Sequence, residues 1–308
     1  MTNNQKHIEK YFTPQFIALF DIIGYKDIFL SGKQRINFGY SSATGERELF
    51  VNSEELSPFL FSNQVENILD EAKEARDIHK NIKQKVFSDN FLFCTENNWF
   101  GLLSLISTLQ TIFVGQGIFI RGAFWYGGLR FTNDFVSGEG IVKADELEKR
   151  AKYPRIIIDD TYVKKANEFG KNTDSSIDLT TAEECFDYFC STFDNEGEFG
   201  DSELFINYLS IYPQFTTNNR DFYFEIHKTL VDHNKDNIKE YFCDMLIKHG
   251  SYILYNLKDI EDNRCEIINK FGENEYKKRI EKYEWLKMYH NDFCKKDNGR
   301  YFECAIIE

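Results

Sequence analysis

Over roughly its first half, the chain alternates short apolar runs with stretches whose apolar residues recur every three or four positions. Residues 16–23, FIALFDII, are apolar except for Asp21 and are followed by Gly24. A run this short with a glycine exit predicts a buried strand. Residues 31–58 are polar and contain glycine, which predicts an excursion from the core. From Ser62 onward Val65, Ile68, Leu69, Ala72, Ala75, His79 and Ile82 fall at helical spacing, predicting a helix to about residue 82. KVFSDNFLF (85–93) predicts two short strands joined by a tight turn at Ser88, Asp89 and Asn90. Leu102, Leu105, Ile106, Leu109, Ile112 and Phe113 give the cleanest amphipathic helical pattern, closed by Gly115 and Gly117.

The apolar run GIFIRGAFWYGGLRF predicts a further strand, ending at a turn over Thr132, Asn133 and Asp134. A helix over 139–151 and a short buried strand in PRIIID follow. The order strand, helix, hairpin, helix, strand, helix, strand is that of an α+β domain, a mixed sheet with helices packed on it. Beyond residue 170 the texture changes. Residues 171–215 are acidic and aromatic, with strand-like pieces in YFCST and LFINYLSI, and residues 220–292 predict several helices. Two regions are expected: a domain over 1–170 with an insertion at about 31–58, and an extension over 171–308 packed on it. In that extension Ile280, Tyr283 and Tyr289, with Trp285 nearby, are expected to be core rather than a partner surface.

Composition narrows the function. Thirty-seven basic residues against 50 acidic give a net charge of −13, a field that repels a phosphate backbone, so nucleic acid is not an expected partner. A small anionic substrate stays open if metal ions or a local basic pocket cancel its charge. The first twelve residues have no apolar core of signal-peptide length, and no run reaches the ~18 apolar residues that cross a bilayer. Seven scattered cysteines without a C-x-x-C pair suit reduced thiols, so a cytoplasmic location without membrane attachment is expected.

Two carboxylates stand out. Asp21 lies inside an apolar strand, where a charge costs several kcal/mol unless it is paired or bound to metal. Asp89 sits at the tip of a hairpin with apolar arms. If the two strands are neighbours, both carboxylates point at one spot, and two hard oxygen donors without histidine or thiolate suit Mg²⁺ or Mn²⁺. The bland alternative makes Asp21 a helix cap and Asp89 an ordinary turn residue. No phosphate loop of the G-x-x-x-x-G-K type is present, and no G-x-G-x-x-G follows a strand.

These residues resemble a known family. F20-D-I-I-G-Y25 is similar to the first metal motif of class III adenylate and guanylate cyclases, and K85-V-F-S-D89 to the hairpin carrying their second metal aspartate. I120-R-G-A-F-W-Y-G127 resembles the glycine-ended strand that follows, and G138-E-G-I-V-K-A-D-E-L-E148 their catalytic helix. With YPRI added, the set looks closest to the pyrimidine cyclases of the bacterial antiphage Pycsar system. It covers about residues 14–160. The resemblance implies a palm-like βαββαβ core (a ferredoxin-like mixed sheet with helices) ahead of a mainly helical C-terminal region. It also implies a homodimer with active sites at the interface, and two divalent ions (Mn²⁺ or Mg²⁺) held by Asp21, Asp89 and the Ile22 carbonyl. The activity implied is closure of UTP or CTP to the 3′,5′-cyclic monophosphate with release of pyrophosphate. Lys85 matches a position that helps select the base.

Two departures bear on this. Purine cyclases carry Asn and Arg on the catalytic helix where this chain has Val142 and Glu146, and a polar base-reading residue where it has Phe135. Positive charge for the phosphate would then come from Arg121, Arg155, Lys143 or the metals. Arg155 is a catalytic candidate whose competing reading is an ion pair with Asp145 or Glu146. The bulky Phe135 points to a smaller or differently read base. The alternatives are a purine cyclase with the same chemistry and a catalytically inactive nucleotide-binding or dimerisation module.

Overall fold

The computed structural model describes residues 12–24, 34–41, 48–55, 81–115, 117–170, 181–193, 201–210, 238–296 and 304–305. The helix expected between Ser62 and residue 82 falls almost wholly outside them. The chain divides into two compact units.

The first unit holds the large sheet. Its strands are β1 (Thr13–Ile22), β4 (Lys83–Phe87), β5 (Asn90–Thr95), β6 (Ile120–Phe131), β7 (Val136–Ser137), β8 (Ile156–Ile158), β9 (Cys190–Phe193) and β10 (Asp201–Ile206). They run in the order β4-β5-β1-β6-β8-β10-β9, with β7 paired to the end of β6. Among the described strands only β6 and β8 pair in parallel, so the sheet is mixed and the expected α+β class holds. Helices α1 (Trp99–Gly115), α2 (Glu139–Arg150), α3 (Asp160–Phe169) and α4 (Ala182–Phe189) belong to the same unit apart from the last residues of α1.

Residues 15–20 of β1 are buried without interruption, as expected of a central strand covered on both faces. The period of two then sorts its side chains. Phe16, Ala18 and Phe20 face one way, where Phe20 stacks on Phe91 and Phe93 and meets Phe113 of α1 edge-on. Ile17 and Leu19 face the other way and pack with Leu92, Cys94, Leu129 and Ala144 of α2. Asp21 continues this second row.

Two expectations are corrected. The pattern in α1 predicts an amphipathic helix, but nearly every side of it is buried, including Ser104, Ser107, Thr108, Gln110 and Thr111. Its hydroxyls survive burial by donating back along the helix: Ser107 to the Leu103 carbonyl at 2.8 Å, Thr108 to Ser104 and Thr111 to Ser107 at 3.0 Å each. In YFCST, Tyr188 and Phe189 end helix α4, and only the following residues form β9. A capping box fixes the start of α4: Thr181 Oγ1 accepts from the Glu184 N–H, and the Glu184 carboxylate accepts from the Thr181 N–H. Strands β9 and β10 extend the main sheet past residue 170.

The second unit contains a two-stranded sheet, β2 (Gln34–Ser41) with β3 (Glu48–Glu55), formed within the polar excursion. It also contains helices α5 (Ile238–Asp262), α6 (Arg264–Phe271) and α7 (Glu273–Lys296). Ile280 and Tyr283 pack against Ile260, Ile267 and Tyr276, and Trp285 and Tyr289 are buried and stacked, so these residues are core as expected. No helix among the described residues is long and apolar enough to cross a membrane.

Between α5 and α7 lie two fully buried histidines, His249 and His290, with Nδ1 atoms 2.9 Å apart. The Cys304 carbonyl lies 2.9 Å from His290 Nε2 and only accepts, so that nitrogen carries the proton. His290 Nδ1 is then the acceptor and His249 Nδ1 the donor, an arrangement that requires the His290 ring to be neutral. Burial lowers the His290 pKa to about 4 and pushes His249 well below its usual range, with His290 beside it adding to the effect. A depressed folded-state pKa means that the unfolded chain binds protons first. This stability is therefore complete above pH ~6.5 and is lost as pH falls toward 4, by up to about 3 kcal/mol for His290. Urea unfolding between pH 7.5 and 4.5 is expected to show that loss. His290→Gln, which keeps a donor toward Cys304, should flatten the profile; an equal acid loss in the variant would place the effect elsewhere.

Candidate functional site

Strand pairing assembles the site. On one side of β1, Asp21 lies opposite Asn90 of β5; on the other it lies opposite Arg121 of β6. Asp89 occupies the two-residue turn between β4 and β5, and its carbonyl accepts the Ile22 N–H at 3.2 Å. The two aspartates are therefore held together where the end of β1 meets the turn leading into its neighbour β5. Gly24, three residues beyond Asp21, has φ +78°, a backbone conformation that favours glycine. Gly122 permits the close pairing beside Arg121, because a Cβ there would meet the Leu19 carbonyl oxygen and Phe20 Cβ, each at 2.4 Å.

Asp21 is about 20% exposed. Its Oδ2 accepts from Arg121 Nη2 at 3.2 Å, whereas Oδ1 is buried with no hydrogen-bond partner. The same Arg121 nitrogen makes a second, tighter ion pair with Glu148, a buried residue in the last turn of α2. Burial raises the Asp21 pKa above the usual carboxylate range against the pull of Arg121, and the charge of Asp89 adds to the rise. Burial, then the charge of Asp21, raises Glu148 to about 7. One guanidinium thus faces two carboxylates, one half-buried and one buried.

Glu148 was not singled out from the sequence as a site residue. It lies four positions after Ala144 and next to Leu147, on the buried stripe of α2, so an acid on that inner face was the available signal. Val142 and Glu146 point elsewhere: Val142 is 55% exposed, and Glu146 pairs with Lys143 at 2.6 Å on the outer surface.

The other candidates separate from this cluster. Lys85 Nζ donates to the Asn133 carbonyl at 2.7 Å and to Thr132 at 3.3 Å, tying β4 to the turn that bears Phe135. Phe135 is 45% exposed, with the Arg130 guanidinium over its ring. Arg155 is fully buried and gripped by both oxygens of Asp201, with Nη1 2.8 Å from Oδ1. Its guanidinium also lies over Tyr153 and Phe205. The ion pair expected with Asp145 or Glu146 is instead made with Asp201, while Asp145 pairs with Lys149. A sealed, neutralised arginine is a structural strut joining β8 to β10 and has no path to a substrate phosphate.

Could Asp21 and Asp89 hold a divalent ion? Among the described residues no group of three or more His, Cys, Asp or Glu could hold one, so a cage made of protein side chains alone is ruled out there. Two carboxylates, one with an unpartnered buried oxygen, do fit Mg²⁺ or Mn²⁺, which is commonly bound through one or two carboxylates plus substrate phosphates and water.

No family model and no curated protein matches the sequence. Solved structures similar to this chain include the adenylyl cyclase CyaB from P. aeruginosa, at 14% identity over 63% of this chain and 93% of that one, with a TM-score of 0.35. Others are adenylate cyclases from Trypanosoma brucei in their monomeric state (10% identity, 63% and 87% covered, TM-score 0.39) and a bacterial light-regulated adenylyl cyclase (9%, 71% and 58%, 0.36). All three are adenylyl cyclases. At these TM-scores the shared backbone path is loose, and a functional assignment has to come from this chain's own residues.

The strut role of Arg155 is directly testable. Asp201→Ala removes its carboxylate and leaves a buried cation, which is expected to cost about 3 kcal/mol in urea unfolding. A loss within experimental scatter would show that Asp201 does not balance this charge.

Proposed function

We propose that the chain is a divalent-metal-dependent nucleotidyl cyclase, converting a pyrimidine nucleoside triphosphate to its 3′,5′-cyclic monophosphate and pyrophosphate. The observation that carries this reading is the placing of Asp89, in the turn leading into β5, beside Asp21 on the neighbouring strand β1, with Asp21 Oδ1 buried and accepting no hydrogen bond. Asp21 and Asp89, with the Ile22 carbonyl, would hold two ions. When bound, these ions lower the pKa of the ribose 3′-hydroxyl and neutralise charge on the triphosphate.

The chain's residues supply the remainder. The ribose 3′-oxygen attacks the α-phosphorus in line, the bond from that phosphorus to the bridging oxygen of pyrophosphate breaks, and the hydroxyl proton leaves to solvent. Arg121 is the cation beside the aspartates, so the charge that purine cyclases place on their helix comes here from β6. Lys85 holds the turn carrying Phe135, and an apolar ring at that position favours a small base, UTP or CTP, over ATP or GTP. Val86, Phe87, Phe135 and Val142 are each exposed among the described residues, apolar side chains that a second copy of the chain would cover in a homodimer. A signal in antiphage defence is the role that goes with such a product.

Incubation with each of the four ribonucleoside triphosphates and Mn²⁺, followed by mass identification of products, tests the activity. Cyclic UMP or cyclic CMP is expected. Asp21→Asn and Asp89→Asn should each reduce turnover at least ~100-fold. Turnover surviving both substitutions would move the chemistry off these residues, and a purine preference would overturn the reading of Phe135.

A further inference from the structure

Two arginines, Arg121 on β6 and Arg155 just before the neighbouring β8, are held in different ways. Arg155 is clamped by both oxygens of Asp201, a fixed two-point grip. Arg121 is shared instead: its Nη2 reaches Asp21 Oδ2 at 3.2 Å and Glu148 Oε1 more closely, while its Nε is buried without a hydrogen-bond partner. A guanidinium held through one nitrogen by two carboxylates can pivot between them. One of its partners, Asp21, is the proposed metal ligand. The other is 4% exposed and fixed by the packing of α2 on β1 and β6.

A cation resting on Asp21 competes with any other cation for that carboxylate. Without Glu148, Asp21 would be the only ionic partner of Arg121 among those described, and the internal ion pair would oppose metal entry. We infer that Glu148 is a positioning residue that draws the Arg121 guanidinium off Asp21, leaving Asp21 open to a divalent cation. This rests on the metal site proposed above and names the residue that tunes it. It also gives the buried acid a task, since a carboxylate on the inner face of a helix otherwise only costs desolvation.

The test is Mn²⁺ binding to the full-length chain without nucleotide, followed by the loss of the free Mn²⁺ electron paramagnetic resonance signal. Glu148→Gln keeps shape and removes the pull on Arg121, so the Kd for Mn²⁺ is expected to rise about tenfold. Glu148→Gln combined with Arg121→Gln loses the same negative charge and also the competing cation, and its Kd should return to the wild-type value or below. A purely structural Glu148 would alter the melting temperature and leave this pattern unmoved. A folded Glu148→Gln variant with unchanged Kd overturns the inference, as does a double variant that binds more weakly than wild type. If the single variant fails to fold, the double variant against wild type decides by the same criterion. Asp21→Asn separates the two levels. Absent Mn²⁺ binding, or binding that survives Asp21→Asn, defeats the metal site itself, whereas Asp21-dependent binding indifferent to Glu148 defeats only the inference.

Discussion

The antiparallel pairing of β1 with β6 sets Asp21 directly opposite Arg121, and the organisation of the site depends on that register. A strand buried on both faces is a costly place to end in a carboxylate. The opposing cation, Arg121, offsets part of that cost, while a second carboxylate from α2 on the same nitrogen adds to it, so both acids titrate above their ordinary values. Slipping the register by one residue would put Asp21 opposite Gly122 or Ile120 and leave an unpaired buried charge. Gly122 protects this alignment, since any side chain there would collide with the β1 backbone.

The neighbouring arginine shows how burial sorts identical chemistry into different roles. The Gly122 N–H donates to the Arg155 carbonyl at 3.0 Å, so Arg121 and Arg155 lie close along the backbone. Arg155 is closed off by Asp201 from the strand that extends the sheet, with aromatic rings beside it, and acts as an internal tie. Arg121 keeps about a fifth of its side chain exposed at the end of the sheet that bears the two aspartates. Access, not residue type, separates the strut from the candidate phosphate partner.

Much of the fold was legible before any coordinates. The FIALFDII run, the KVFSDNFLF hairpin, the long strand around RGAFWYGG and the short PRIIID strand each appear where periodicity puts them, because strand and helix periods are local properties. The errors have local causes as well. The helix α4 was missed because Tyr188 and Phe189 suit a strand, although the Thr181 and Glu184 capping pair marked a helix start. The all-round burial of α1 was not visible because its serines and threonines read as a polar face, while in the fold they bond to their own backbone.

By itself, the sequence determined the mixed α+β class, the positions of the main elements and the anomaly of two acids at the ends of apolar segments. Those follow from the spacing of side chains along a regular backbone. Only the tertiary structure decided which charges meet. Arg121 lies one hundred residues from Asp21, Glu148 twenty-seven beyond that, and Asp201 forty-six beyond Arg155. Such pairs are set by strand register and by the packing of α2 on the sheet, which bring together residues that no local period relates. The sequence offered several cations for one site, and burial left Arg121 beside the aspartates and enclosed Arg155 in the sheet.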